Sequence, residues 1–281
     1  MEKKTLTNAE IKEELLSMMV SFDAFMKEHD ISYTIMSGTL LGAVRHGGFI
    51  PWDDDLDLGL KRSEYEKLLD VLKKENRIGD NLYAVGCELG NGTFPFLKIL
   101  NPKIEVLEER QEAKAKVVIH GQSLWLDIFP FDYMPCRFQK PYLKLIRLLR
   151  RQKNLKQLCT KEFLSSQRGL KGAAYRILNA FNNIFSDTFY SRCIVRISKW
   201  GSPESNLIGD LTWGRAGIDK CFSPALFDDI TTYRFENAEV KGFRDYDTYL
   251  KQIYGDYMKL PPKEKQVNHG LCAWWRENDE E

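Results

Sequence analysis

The sequence has no Cys-x-x-Cys pair. Its six cysteines, Cys87, Cys136, Cys159, Cys193, Cys221 and Cys272, stand singly, the nearest two 23 residues apart. That spacing excludes zinc-ribbon and thioredoxin-type chemistry. A chain of 281 residues with 43% hydrophobic residues also needs no disulfide scaffold to hold a core, so reduced thiols are expected. No apolar run approaches the roughly 18 residues that a bilayer span requires. The opening MEKKTLTNAEIKEE is charged and carries no apolar signal segment, so a cytoplasmic location is expected. Internal repeats and low-complexity linkers are absent too, and 29% charged residues make an ordinary globular mixture.

Net charge is scarce, at +1, but unevenly placed. Residues 137–199 hold 15 Lys and Arg against two acids, Glu162 and Asp187, a net +13; the remainder holds 26 basic and 38 acidic residues, a net −12. A basic segment on an acidic body suits an anionic lipid surface or a polyphosphate. No nucleic-acid recognition motif accompanies the charge, so no nucleic-acid partner is expected.

Thr7 with Glu10 forms a capping-box pattern ahead of a helical stripe, Ile11, Leu15, Met18, Met19, Phe22 and Met26. A strand follows at Ser32–Met36, then a short helix at Thr39–Arg45 and a turn at His46-Gly47-Gly48. Ser63 with Glu66 opens another helix. Strands are expected near 83–85, 94–99, 104–107, 116–119 and 124–129. Residues 141–200 read as basic helices with apolar positions Leu143, Ile146, Leu149, Ala174, Ile177, Leu178 and Phe181. A hairpin is expected across Asn237-Ala238, a last helix over Tyr246–Tyr254, and an acidic tail at the end.

The densest chemistry lies between Ser37 and Gly59. In an extended 53–58 segment, Asp53, Asp55 and Asp57 share one face while Leu56 and Leu58 point into a core. Carboxylates so placed repel one another, and a divalent cation relieves the repulsion. An oxygen-only donor set favours Mg²⁺ or Mn²⁺. Upstream, Gly38-Thr39 sits where a strand gives way to a helix, a place where backbone N–H groups bind phosphate. Arg45 and His46 lie about two turns further on, and Arg45 supplies a fixed cation. In the apolar run Trp125–Pro130, Asp127 is the charged residue; it reads as a third metal-facing carboxylate or a base, or else as a buried cap. Asp132, beyond a proline, reads as a turn cap.

The Ser37–Gly59 block, the strand Leu126-Asp127-Ile128-Phe129-Pro130 and the segment Tyr254–Pro262 together resemble the LicD family, phosphorylcholine transferases of bacterial surface polysaccharides that share a core with the fukutin-related proteins. The resemblance spans most of the chain and is weakest over the basic helices. It implies an α+β fold, a nucleotidyltransferase-like mixed sheet flanked by helices, with an inserted basic helical segment and a C-terminal helical and hairpin region. Three parts are expected: residues 1–137 as the catalytic core, 138–200 as the basic insertion, and 201–281 packing on the core and completing the site.

By position, the resemblance implies that Ser37, Gly38 and Thr39 hold nucleotide phosphates. Asp55, Asp57 and Asp127 bind metal, and Asp53 extends the set. The implied reaction moves phosphocholine from CDP-choline to a sugar hydroxyl of a lipid-linked glycan, a teichoic-acid precursor, and releases CMP. Arg45 would steady the leaving group, Lys98 would join it or else pair with a structural carboxylate, and Asp127 or a metal-bound route near it would take the acceptor proton. Choline, a quaternary ammonium, is held by aromatic faces; Trp52 and Tyr257 are the preferred candidates, with Trp213, Tyr254, Trp274 and Trp275 behind them. A CDP-ethanolamine, CDP-glycerol or CDP-ribitol transferase, a transferase of whole nucleotidyl groups and a non-catalytic scaffold remain as alternatives. The charge of the basic helices reads either as a solvated face or as a surface resting on the inner face of the cell membrane, with Leu143, Ile146 and Leu149 dipping in.

Overall fold

A computed structural model describes residues 5–79, 81–112, 115–159, 161–213, 220–266, 268 and 270–276. The charged residues 1–4 and the acidic tail 277–281 lie outside the described residues. Helix α1 (Asn8–Glu28) begins with the expected capping box: Thr7 Oγ1 accepts from the Glu10 amide at 3.3 Å, and Glu10 Oε2 accepts from the Thr7 amide at 2.7 Å. Its six-residue apolar stripe is buried, each side chain stabilising the fold by about 1.5–3 kcal/mol relative to exposure.

The chain continues through β1 (Thr34–Ile35), α2 (Ser37–His46), β2 (Asp57–Lys61), α3 (Arg62–Glu75), β3 (Arg77–Ile78), β4 (Leu82–Val85), β5 (Leu97–Glu112) and β6 (Ala115–Tyr133). Helices α4 (Gln139–Leu158), α5 (Lys161–Ser166), α6 (Gly169–Asn182) and α7 (Phe189–Ser198) form the basic segment. Then come β7 (Ile208–Asp210), the hairpin β8 (Ile230–Phe235) and β9 (Ala238–Phe243), α8 (Tyr246–Tyr254) and β10 (Leu271–Trp275).

Among the described residues all ten strands join one mixed sheet. The order is β3-β4-β5-β6-β2-β1-β9-β8, with β10 on β5 and β7 on β6. The β2–β6 and β1–β9 pairs are parallel and the rest antiparallel. A mixed sheet flanked by helices is the α+β architecture that the family resemblance implies.

Two local readings need correction. Ser63 does not cap α3: Lys61 holds that position without a side-chain bond, because β2 runs straight into the helix. Asp132 is not a turn cap. It lies within β6, 1% exposed, and takes Arg62 Nε and Nη2 at 2.7 and 2.8 Å. That bidentate pair satisfies a carboxylate that would otherwise be costly to bury.

The basic helices form a second small core. Leu143 (2% exposed) and Ile146 (0%) pack there with Met134, Tyr142 and Ile197, and Leu149 rests against them. These side chains point into protein and are not free to dip into lipid, contrary to expectation.

Candidate active site

Strand pairing builds the centre of the site. In the parallel β2–β6 register Asp57 stands opposite Asp127, and in the antiparallel β5–β6 register Lys98 stands opposite Asp127 from the other side. Three adjacent strands therefore present the row Lys98, Asp127, Asp57. Lys98 is 4% exposed, with its Nζ 4.3 Å from the Trp125 ring centroid and 4.9 Å from that of Phe94. Its ammonium sits 2.6 Å from Asp127 Oδ1, yet that buried oxygen has no aligned hydrogen bond. Asp127 Oδ2 accepts from Trp125 Nε1 at 3.3 Å.

Asp57 carries the electrostatic strain. Burial first, then the charges on Asp55, Asp127 and Asp53, hold its carboxyl well above the usual range, and Lys98 opposes them. The acidic run is less of a strand than its alternation suggests, since Asp57 alone of the four aspartates lies in β2. Pro51-Trp52 form a turn, and the Asp53 amide donates to Ile50 O at 2.9 Å. The alternation still sorts the side chains. Asp54, Leu56 and Leu58 are buried, whereas Asp53, Asp55 and Asp57 are partly exposed.

The start of α2 closes over these carboxylates. Met36 occupies the cap position without a side-chain bond, so the positive end of the helix is left to other partners. Ser37 has φ 49°, a left-handed conformation that costs a non-glycine residue about 1–3 kcal/mol; its amide donates to Tyr249 Oη at 3.2 Å. At Gly38 an added Cβ would lie 2.5 Å from Asp53 Oδ2, so glycine lets that carboxylate approach the backbone.

The Thr39 hydroxyl is committed elsewhere, accepting from the Asp57 amide at 2.8 Å. This bond ties α2 to the first residue of β2. Thr39→Val, which keeps the shape and removes the acceptor, is expected to lower kcat about tenfold with KM little changed. Thr39→Ser should restore the rate. A Thr39→Val enzyme with unaltered kcat would remove the residue from the positioning role.

Beside the carboxylates lies a cavity of about 460 Å³, walled by Ser37 and Asp57 and by the rings of Phe129, Trp213, Tyr249 and Tyr254. Burial, Tyr249 and then Asp57 push the Tyr254 hydroxyl up. Tyr249, Asp210 and Lys220, which no sequence pattern singles out, also line this space. Asp210 Oδ1 accepts from the Thr212 and Trp213 amides at 3.1 and 3.0 Å, and Lys220 Nζ donates to Gln252 O at 2.8 Å. Both hold the wall's backbone in place.

Of the expected site residues Ser37 and Asp57 line this cavity, while Gly38, Thr39, Arg45, His46, Trp52, Asp53, Asp55, Lys98, Asp127 and Tyr257 are not among its lining. Arg45 Nη1 donates to Tyr257 O at 2.6 Å, pinning that segment to α2. Tyr257 is 8% exposed and donates its hydroxyl to Asp247 at 2.8 Å. His46 lines a separate groove of about 750 Å³ with Lys12, Phe49 and Glu236. Trp52 packs edge-on against His46 at 6.4 Å. Burial and the neighbouring Arg45 hold the His46 imidazole below its usual range. Trp274 and Trp275 sit on β10 against β5, where Trp274 Nε1 donates to Glu105 at 3.0 Å.

Among the described residues no three His, Cys, Asp or Glu side chains already converge as a metal-ligand group. What the site offers a cation is the donor chemistry around Asp57 and the unaligned buried oxygen of Asp127.

Comparison with known proteins adds an independent finding. Residues 30–140 match the family described as LicD/FKTN/FKRP, nucleotidyltransferase domain. The whole chain is similar to the lipopolysaccharide cholinephosphotransferase LicD of Haemophilus influenzae, 30% identical over 269 residues, which covers 95% of this chain and 97% of that protein. Shorter matches join it to uncharacterized proteins of Rickettsia prowazekii, 40% identical over 26% of this chain and 27% of that protein, and of Rickettsia typhi, 36% identical over 39% of this chain and 35% of that protein.

Proposed function

Since the chain belongs to the LicD family, we propose that it is a phosphorylcholine transferase, moving phosphocholine from CDP-choline to a sugar hydroxyl and releasing CMP. The acceptor in this reading is a lipid-linked glycan. A teichoic-acid precursor suits the sequence resemblance, and a lipopolysaccharide suits the name of the Haemophilus relative.

The observation that carries the donor assignment is the cavity, with a carboxylate at one side and aromatic faces at the other. A quaternary ammonium donates no hydrogen bond and is attracted to ring faces. Tyr254 and Trp213 are the proposed choline contacts, in place of Trp52 and Tyr257. Phosphate oxygens would lie at the start of α2 beside Gly38, since the Ser37 amide is taken by Tyr249.

Asp55 and Asp57, with Asp53 and Asp127 near them, would hold Mg²⁺ or Mn²⁺. Such an ion supplies charge neutralisation for the pyrophosphate and the transferring phosphoryl group. Asp127 takes the acceptor proton on its unaligned Oδ1, and Lys98, 2.6 Å away, holds that carboxylate in place. In this reading Lys98 serves as a counter-charge to Asp127. Arg45 acts through the Tyr257 carbonyl, steadying the chain that carries Tyr254.

The test is CMP release by the purified protein with Mg²⁺ and a glycan acceptor. CDP-choline should exceed CDP-ethanolamine and CDP-glycerol by about tenfold or more in kcat/KM, the worth of a desolvated cation–π contact. A preference for CDP-glycerol or CDP-ribitol would assign the cavity to a polyol. A folded protein that releases no CMP from any donor would favour the scaffold.

A further inference from the structure

Helix α6 wears its amphipathicity inside out. Its buried residues are Gly172 and Asn182, and Tyr175 and Asn179 are half-buried beside them. Leu170 (92% exposed), Ile177 (71%) and Phe181 (56%) stand in water. Steps of seven and four residues put these three on one face, opposite the packed one. Leu178 flanks them, and Ile184, 74% exposed, extends the patch into the turn that follows. A surface helix ordinarily turns such a stripe toward the core, and a contiguous exposed apolar patch marks an interaction surface.

The charge around the patch has one sign. Arg168, Lys171 and Arg176 are exposed on the same helix or at its start. One of the segment's two acids, Asp187, is already engaged by Lys156 at 2.9 Å. No helix among the described residues is long and apolar enough to cross a membrane. A second copy of the chain would bring a segment of +13 against its own like.

We propose that the outer face of α6 is a membrane-docking surface whose occupant is the anionic surface of a phospholipid bilayer. Leu170, Ile177 and Phe181 enter the headgroup–acyl boundary, and Arg168, Lys171 and Arg176 meet the phosphates. The proposal goes beyond the transferase reading and uses none of its residues. It also moves the lipid contact from Leu143 and Ile146, which are buried, to a different helix.

The experiment is co-sedimentation of the full chain with vesicles of phosphatidylglycerol mixed with phosphatidylcholine, and with phosphatidylcholine alone. Wild-type protein should bind the anionic vesicles and lose most of that binding in high salt. Ile177→Ser with Phe181→Ser, and separately Lys171→Glu with Arg176→Glu, should each lower the partition coefficient by about tenfold or more. Leu170→Ser, at the most exposed of these positions, should lower it without moving the melting temperature, which separates lost docking from lost folding. Wild-type partition retained in all three variants would overturn the proposal, as would a wild type that ignores anionic vesicles. So would a wild-type dimer that the Ile177→Ser, Phe181→Ser variant converts to monomer, since that result gives the face to a second copy.

Discussion

Asp57→Asn is expected to slow CMP release by about a thousandfold or more while raising the melting temperature of the metal-free protein. The two effects share one cause. Burial and the charges of Asp55, Asp127 and Asp53 hold the Asp57 carboxyl well above its ordinary value. A carboxyl raised in the folded state resists ionisation there. Above the folded value its charge works against folding, and that penalty eases as pH falls through the folded value toward the ordinary one. Asparagine keeps the shape and removes the charge, so the fold gains what the site loses. The checks are an initial-rate assay with CDP-choline and a thermal melt without divalent ions. Turnover within a few-fold of wild type would dismiss Asp57 from the chemistry. A lowered melting temperature with lost activity would make it a structural residue.

The second large effect is at Lys98. Its ammonium is almost fully buried and lies 2.6 Å from Asp127, whose strand neighbour is Asp57. Lys98→Met keeps the stem and deletes the charge, leaving two carboxylates side by side. Breaking one half of a buried pair typically costs about 3–5 kcal/mol, or roughly 10 °C in melting temperature for a chain of this size. Adding Asp127→Asn should restore most of that stability, because the stranded charge is then gone. Turnover should stay lost in the double variant, because the proposed base is gone with it. Recovery of both would relieve Asp127 of a catalytic role. A Lys98→Met protein that melts like wild type would mean that the pair is no more than a screened contact.

Local chemistry makes α1 and α8 legible, whereas β10 at Leu271–Trp275 carries no signal in the sequence reading. Thr7 with Glu10, and the apolar spacing of 246–254, carry all the information that α1 and α8 need within one or two turns. The β8–β9 hairpin was visible for the same reason. In the sequence the long hairpin of β5 and β6 shows only as four fragments. Pro102 and the register shifts between Asn101 and Glu105 and between Val106 and Glu108 interrupt the alternation that a strand reading relies on. Asp132 was misread because its partner Arg62 lies 70 residues earlier, out of reach of any local pattern.

The candidate site divides the same way. The Asp53-x-Asp55-x-Asp57 spacing and the isolated Asp127 showed which carboxylates to consider, and pairing of β2 with β6 brings Asp57 and Asp127 side by side. Nothing in the sequence pointed to Tyr249 as the partner of the Ser37 amide, since 212 residues separate them. Nor did it show that the Thr39 hydroxyl would brace Asp57. The apolar positions of the basic helices were recognised, but spacing alone gave no sign that Leu143 and Ile146 turn inward while Ile177 and Phe181 turn outward.

Electron paramagnetic resonance of Mn²⁺ titrated into the protein with CDP-choline present is the most direct test of the carboxylate centre. Wild-type protein should bind Mn²⁺ more tightly with the donor than without it, and Asp57→Asn should lose at least about tenfold in affinity. Equal Mn²⁺ affinity in wild type and Asp57→Asn would contradict the account, because the aspartates gathered between β2 and β6 would then hold no ion for the pyrophosphate to meet.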